Sequence, residues 1–283
     1  MVKIHGLVFT LLLLIGCNNP EVIHYVQDET CRQVLELPGK DSLFINPVYF
    51  CSGSDGNYFY YSRLKTTVCN DTLCQLIHLK LFWDLAGNYS RFDTLAGTPL
   101  TKNDHHPFTT HDYEKLHTTL RHKNSILGDK TEDELLDDKQ TRYSEKIDGV
   151  TGATVREIQS AVVDGALYST YTLWHLANGD INQQIREFTL AHYDSVIELQ
   201  LLQSGHPETI IMGLKNLDER DYFDRFDQIL DIMKSGNPLV NFYIAKNLPA
   251  DIFTIKENKK SIEEILNLMD HNTRSVLPKY LNP

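Results

Sequence analysis

The C-terminal part of this chain repeats itself. Ser204-Gly205-His206-Pro207, with Lys215-Asn216-Leu217 after it, recurs as Ser235-Gly236-Asn237-Pro238 with Lys246-Asn247-Leu248, a shift of 31 residues. Glycine commonly closes a helix and proline is tolerated in a first turn, so each Ser-Gly-x-Pro reads as a joint between two helices. That period predicts stacked helix pairs, each hiding its apolar side on its neighbour. A degenerate further copy is expected at Ile265-Leu266-Asn267-Leu268-Met269, echoing Ile229-Leu230-Asp231-Ile232-Met233 after a short insertion. The chain after Gly179 is therefore expected to be helical throughout.

Upstream the pattern changes to that of strands. Between Val48 and Phe92, Tyr58 to Tyr61 is aromatic-rich, and Ile77 to Leu81 alternates apolar with polar. Asp84-Leu85-Ala86-Gly87-Asn88 reads as the turn of a hairpin that returns along Tyr89 to Phe92. A helix is expected over 112–120, with Tyr113, Leu116 and Leu120 on one side and a start near Thr109 or Thr110. Residues 129–146 are charge-rich, including Glu132, Asp133, Glu134, Asp137, Asp138 and Lys139, and read as a solvated loop or helix face.

With 283 residues, 41% of them hydrophobic, the chain can bury an ordinary core and is expected to divide in two. The expected class is α+β: a twisted antiparallel sheet packed with helices over 29–179, then an all-helical domain over 180–283. A net charge of −11 argues against nucleic acid as a partner, since phosphate contacts need clustered Lys and Arg.

The N-terminus reads as a signal segment. Lys3 and His5 precede an apolar run from Leu7 to Ile15, too short to span a bilayer, that ends in Leu14-Ile15-Gly16-Cys17. An ordinary cleavable signal peptide or a weak N-terminal anchor would share most of these features. The Leu-x-Gly-Cys ending resembles the bacterial lipoprotein lipobox. That resemblance implies that residues 1–17 are signal peptide and lipobox, that Cys17 carries the acyl chains, and that 18–28 is a tether. Asn18, where an Asp would favour inner-membrane retention, leans the expected location to the outer membrane, facing the periplasm.

Beyond Cys17 stand Cys31, Cys51, Cys69 and Cys74, an even number for a compartment that permits disulfides. Of three possible pairings, Cys69 with Cys74 and Cys31 with Cys51 is the one expected. The pair Cys69-x4-Cys74 can also be read as redox-active or as two metal ligands, but no second close pair or haem signature accompanies it.

Asp148-Gly149-Val150-Thr151-Gly152-Ala153-Thr154 stands before a run of helical periodicity through Val155, Ile158, Ala161, Val162, Ala166 and Leu173. Two uses are open. Thr151 or Thr154 can cap that helix, or the small residues can let backbone N–H groups and the helix dipole meet a phosphate. The heptad resembles the flavinylation motif of the FMN-binding domain family found in NqrC- and RnfG-type redox subunits, closely over seven residues and loosely around them. That resemblance implies that FMN is esterified through its phosphate to Thr154 by a dedicated flavin transferase, acting outside the cytoplasm. Asp148, Gly149, Thr151, Gly152 and Ala153 then serve transferase recognition and close backbone approach. The repeats, in turn, look like a small HEAT-type solenoid.

Asp104-His105-His106-Pro107, then His111, Asp112, Glu114, His117 and His122, gather five of the twelve histidines. Imidazole and carboxylate together suit zinc, copper or iron, and Glu114 and His117 would share a helix face. The spacing matches no metal motif, so no metal site is expected. With FMN present, Asp104, His105 and His106 could instead line its ring.

Two functions follow as expectations. The first is a membrane-anchored extracytoplasmic flavoprotein that relays electrons to or from a partner protein docked on the helical repeats. The second is a flavin-free lipoprotein acting through those repeats as an interaction or assembly factor. No Ser-His-Asp or Cys-His ordering points to a hydrolase.

Overall fold

The computed structural model describes residues 31–40, 43–54, 56–70, 73–103, 105–136 and 156–278. The signal segment, Cys17 and the tether lie outside the described residues, as do Asp104, the acidic pair Asp137 and Asp138 with Lys139, and the heptad 148–154.

The protein is α+β. Five antiparallel strands form a meander in sequence order: β1 (Cys31–Pro38), β2 (Ile45–Ser52), β3 (Tyr58–Asn70), β4 (Leu73–Trp83) and β5 (Tyr89–Thr94). Alternation in the two long strands creates its two faces. Tyr60, Leu64 and Val68 of β3 and Ile77, Leu79, Leu81 and Trp83 of β4 point into the main core. Tyr61 and Phe82 belong to the other face, packed with Cys51, Cys31, Tyr49 and Phe59. The hairpin read at 84–88 joins β4 to β5, with Leu81 opposite Phe92. Strand β1 has no counterpart in the sequence expectation, because a register shift between Gln33 and Leu35 breaks its alternation.

Helix α1 (Thr110–Arg121) begins where Thr109 caps it: the Thr109 side chain accepts the Asp112 N–H, and the Asp112 side chain accepts the Thr109 N–H. After α2 (Arg156–Gln159) come α3 (Leu167–Asn178) and α4 (Asp180–Ala191), which pack on the inner sheet face. The Trp83 indole N–H donates to the Ala177 carbonyl at 2.9 Å, and the Tyr60 and Thr189 hydroxyls share a hydrogen bond of 2.8 Å. Both tie strands to helices through groups that burial would otherwise leave unsatisfied.

Helix pairs follow: α5 (Ser195–Leu202) with α6 (Pro207–Leu214), then, after α7 (Glu219–Asp224), α8 (Phe226–Lys234) with α9 (Pro238–Asn247). Pro207 and Pro238 each open a helix, and Gly236 takes φ +77°, which a side chain would resist. In the later copy Asn237 also caps α9, accepting from the N–H groups of Leu239 and Val240. The chain ends in α10 (Lys256–Ile265) and α11 (His271–Val276). The degenerate third copy is not a helix like its template: Leu266–Leu268 is a single 3-10 turn, although Ile265 and Met269 are buried in the same core as Ile229 and Met233.

Packing is continuous across the boundary expected at 179/180. The core against the sheet includes Ile181, Ile185, Ile197, Leu201 and Met212. A second core runs from Leu202 to Leu277. Arg225, ahead of α8, is ion-paired with the largely buried Glu198 of α5, joining the two. Among the described residues no helix is long and apolar enough to cross a membrane.

Candidate functional site

The described chain stops before the heptad at Leu136 and resumes at Arg156, two residues past Thr154. Both shores are anchored. Leu135 on one side and Ile158 on the other are fully buried in the main core, and the Thr119 hydroxyl of α1 donates to the Ala161 carbonyl at 3.1 Å.

The helix expected to run from Val155 through Leu173 is interrupted. Only Arg156–Gln159 is helical before Leu167, and Gly165 turns the chain at φ +76°. The Asn103 N–H donates to the Gly165 carbonyl at 2.7 Å. The Val163 N–H donates to the Thr170 hydroxyl at 3.2 Å, which donates in turn to the Ala166 carbonyl. The break keeps Val162, Val163, Ala166 and Leu167 all buried. The residues that precede Arg156, with the heptad and its phosphate-holding turn, lie outside the described residues.

The histidine-rich stretch is dispersed by the fold. Among the described residues no three His, Cys, Asp or Glu side chains gather in a group that could hold a metal ion. Asp112 is spent on capping α1 and on Lys102, whose ammonium lies 3.0 Å away. His105 sits in a turn at φ 63°, its N–H donating to the Lys102 carbonyl. His111, Glu114 and His122 are exposed, and the His122 carbonyl accepts the Trp174 indole N–H at 3.1 Å.

His117 turns away from Glu114 and meets Tyr89 of β5, with 2.9 Å between Nδ1 and the phenol oxygen. Burial, then the Arg121 charge, holds the His117 pKa below its ordinary value, while burial pushes the Tyr89 pKa up. Between a protonated phenol and a neutral imidazole the hydrogen of this bond is carried by the phenol or by Nδ1 according to the imidazole tautomer.

Two concave places lie beside the helix pairs. One, of about 320 Å3, opens where the last hairpin meets the helix pairs, and is lined by Tyr89, Arg121, Lys123, Asn178, His206 and Leu239 among others. Lys123 there holds the Asn88 side-chain oxygen at 3.2 Å and is ion-paired with Glu208. Glu208 lines the same cavity and offsets the Lys123 charge, so the lining is mixed in sign. The other, of about 570 Å3, is lined by both repeat joints, Ser204-Gly205 and Ser235 with Asn237, and by Gln228. The residues of each cavity lie far apart in sequence, so only folding brings them together.

Disulfides join Cys31 to Cys51 and Cys69 to Cys74. Each links residues directly opposite in the ladder, the first tying the edge strand β1 to β2, the second closing the end of the β3–β4 hairpin.

Compared with family models, with curated proteins and with solved structures, the chain has no match among any of the three.

Proposed function

We propose that this chain is a lipid-anchored flavoprotein of the bacterial cell envelope that carries FMN on Thr154 and relays electrons to or from a partner protein. The heptad Asp148 to Thr154 carries this reading. Its donor set fits the group: a threonine hydroxyl for the phosphoester, with Gly149, Gly152 and Ala153 too small to obstruct a bulky phosphate or a transferase. Leu14-Ile15-Gly16-Cys17 supports the compartment, since acyl chains at Cys17 would hold the protein outside the cytoplasm, where the transferase acts. Two disulfides agree with an oxidising surrounding. In this reading the sheet and its helices form an FMN-binding-like domain, and the helix pairs a HEAT-like module that docks the partner.

Bound FMN supplies the redox chemistry. Thr154 is an attachment point and not a nucleophile in turnover. Covalent attachment suits a compartment where a dissociated FMN would be lost by dilution.

The test is co-expression of the chain lacking its lipobox with a flavin transferase, followed by denaturation. Flavin fluorescence that stays with the polypeptide on a gel, and disappears in Thr154→Val, is the expected result. No labelling, or equal labelling of Thr154→Val, would remove the flavoprotein reading. The flavin-free interaction factor would then stand, favoured by the exposed Leu239 and Phe242 of α9.

A further inference from the structure

The outer face of the sheet carries a charge pattern opposite to that of the whole chain. In the β3–β4 ladder Arg63 stands directly opposite Lys80 and Lys65 directly opposite His78. Direct partners in an antiparallel pair project to the same side, so Arg63, Lys65 and Lys80 share that side with the His78 ring. The Arg63 guanidinium donates to the His78 ring nitrogen at 3.1 Å, and burial, then Arg63 and Lys65, lower the His78 pKa. The acids of this face are Glu36 on the edge strand β1 and Asp93 on β5, which is ion-paired with Arg91 and stands directly opposite Lys80. On a chain of net charge −11, Arg63 and Lys65 thus sit at the middle of one sheet face with the acids of that face toward its edges.

The same face exposes aliphatic side chains. Leu76, opposite Thr67 in the next row, is 56% exposed, and Ile45, on the same side of β2 as Tyr49, is 63% exposed. Leu43, at the bend leading into β2, is 75% exposed. Cations around protruding aliphatic groups are what a peripheral membrane surface presents, the ammonium and guanidinium groups to anionic headgroups and the aliphatic groups to the acyl boundary.

We propose that this sheet face docks on an anionic lipid bilayer through Lys65 and Arg63, with Leu76 and Ile45 entering the headgroup region. The inference rests on the lipid-anchor half of the reading above and not on its flavin half. Thirteen residues separate Cys17 from Cys31, where β1 begins at the sheet edge. Fully extended they span about 45 Å, so an acylated Cys17 keeps this face beside the bilayer at high effective concentration. Headgroup phosphates then meet the Lys65 ammonium and the Arg63 guanidinium, and the helix pairs are left facing away from the strands, toward solvent and partners.

The described fold begins at Cys31, so the chain from Asn18 onward retains all of it and lacks the acyl anchor. Its co-sedimentation with phosphatidylcholine vesicles is compared with vesicles of phosphatidylcholine and phosphatidylglycerol. Partition at least tenfold stronger onto the anionic vesicles is expected, weakening as salt is raised. Lys65→Glu and Leu76→Ser are each expected to lower that partition severalfold, with each variant keeping a single cooperative thermal melt. Thr154→Val should bind vesicles as the parent does, which separates this proposal from the flavin one. Equal partition onto neutral and anionic vesicles, no partition onto either, or full binding by Lys65→Glu would overturn the proposal. Capture of the face by an acidic protein in the absence of vesicle binding would overturn it too.

Discussion

The Thr209 hydroxyl donates to Oδ2 of Asp84 at 2.9 Å, across 125 residues of sequence. Asp84 is the hub of the β4–β5 turn. Its Oδ1 accepts the N–H groups of Ala86 and Asn88, and its Oδ2 also accepts the Asn88 amide. Thr209, 2% exposed on α6, accepts from that same amide. The hairpin turn and the first repeat helix thus form one polar network. Asp84→Ala would orphan several half-buried donors and is expected to cost about 2–3 kcal/mol, Thr209→Val about 1 kcal/mol. A double-mutant cycle in denaturant should show coupling of at least about 0.5 kcal/mol, and strict additivity would refute the network.

Gly87 in the same turn takes φ +77°, and a Cβ there would lie 2.3 Å from the Asn182 carbonyl oxygen. Both the conformation and the contact exclude a side chain. Gly87→Ala is expected to lose about 2–4 kcal/mol, whereas Gly97→Ala, at φ +75° in open space, should lose about 1 kcal/mol. Equal losses at the two sites, read from urea midpoints, would show that the approach of α4 does not matter.

The two disulfides close loops of different length, with sequence separations of 20 and 5. In the chain-entropy account the longer loop restricts the unfolded state more. Cys31→Ser with Cys51→Ser should cost about 3 kcal/mol and Cys69→Ser with Cys74→Ser about 2 kcal/mol. Thermal melts of the two double variants test the order. A larger loss for the shorter loop would locate the effect in the folded sheet.

Three histidines set a pH dependence. His117 is lowered by burial and then Arg121, His78 by burial and then Arg63 and Lys65, and His175 by burial against an opposing hydrogen bond to the Leu127 carbonyl. As pH falls, the unfolded chain takes up these protons first, at an ordinary pKa of 6.5. Stability from this source is therefore full above that value and is lost as pH falls through the lower folded values. The urea midpoint should drop between about pH 7.5 and about pH 5. His117→Gln should flatten that drop, and a midpoint independent of pH in this window would contradict the shared direction of the three shifts.

Much of the architecture was readable wherever a local rule governs it. The alternation from Ile77 to Leu81 and the turn Asp84 to Asn88 identify the hairpin, because strand period and turn chemistry act over neighbouring residues. Thr109 marks the start of α1 because a cap bonds only three residues away. The two Ser-Gly-x-Pro joints open α6 and α9 at their prolines. Misreadings arose where a distant group competes. The periodicity from Val155 to Leu173 is real, but Asn103 and Thr170 take the backbone groups at Gly165 and Val163 and break the helix. The histidine-rich stretch, in which no metal site is expected, is spread along the fold: His117 bonds Tyr89, Asp112 pairs with Lys102, and the exposed His122 offers its backbone carbonyl to Trp174.

The sequence alone determined the α+β class and the order of sheet then helix pairs, because periodicity and turn residues are properties of contiguous chain, and short motifs are the ground on which Cys17 and Thr154 are proposed to receive a lipid and a flavin. Only the tertiary structure decided that Asp84 and Thr209 share one network, that Arg63, Lys65, His78 and Lys80 stand on one face, and that the main core runs on to Leu201 and Met212. Those facts depend on register and on long-range packing, whose free energy resides in pairs of residues that no local pattern joins.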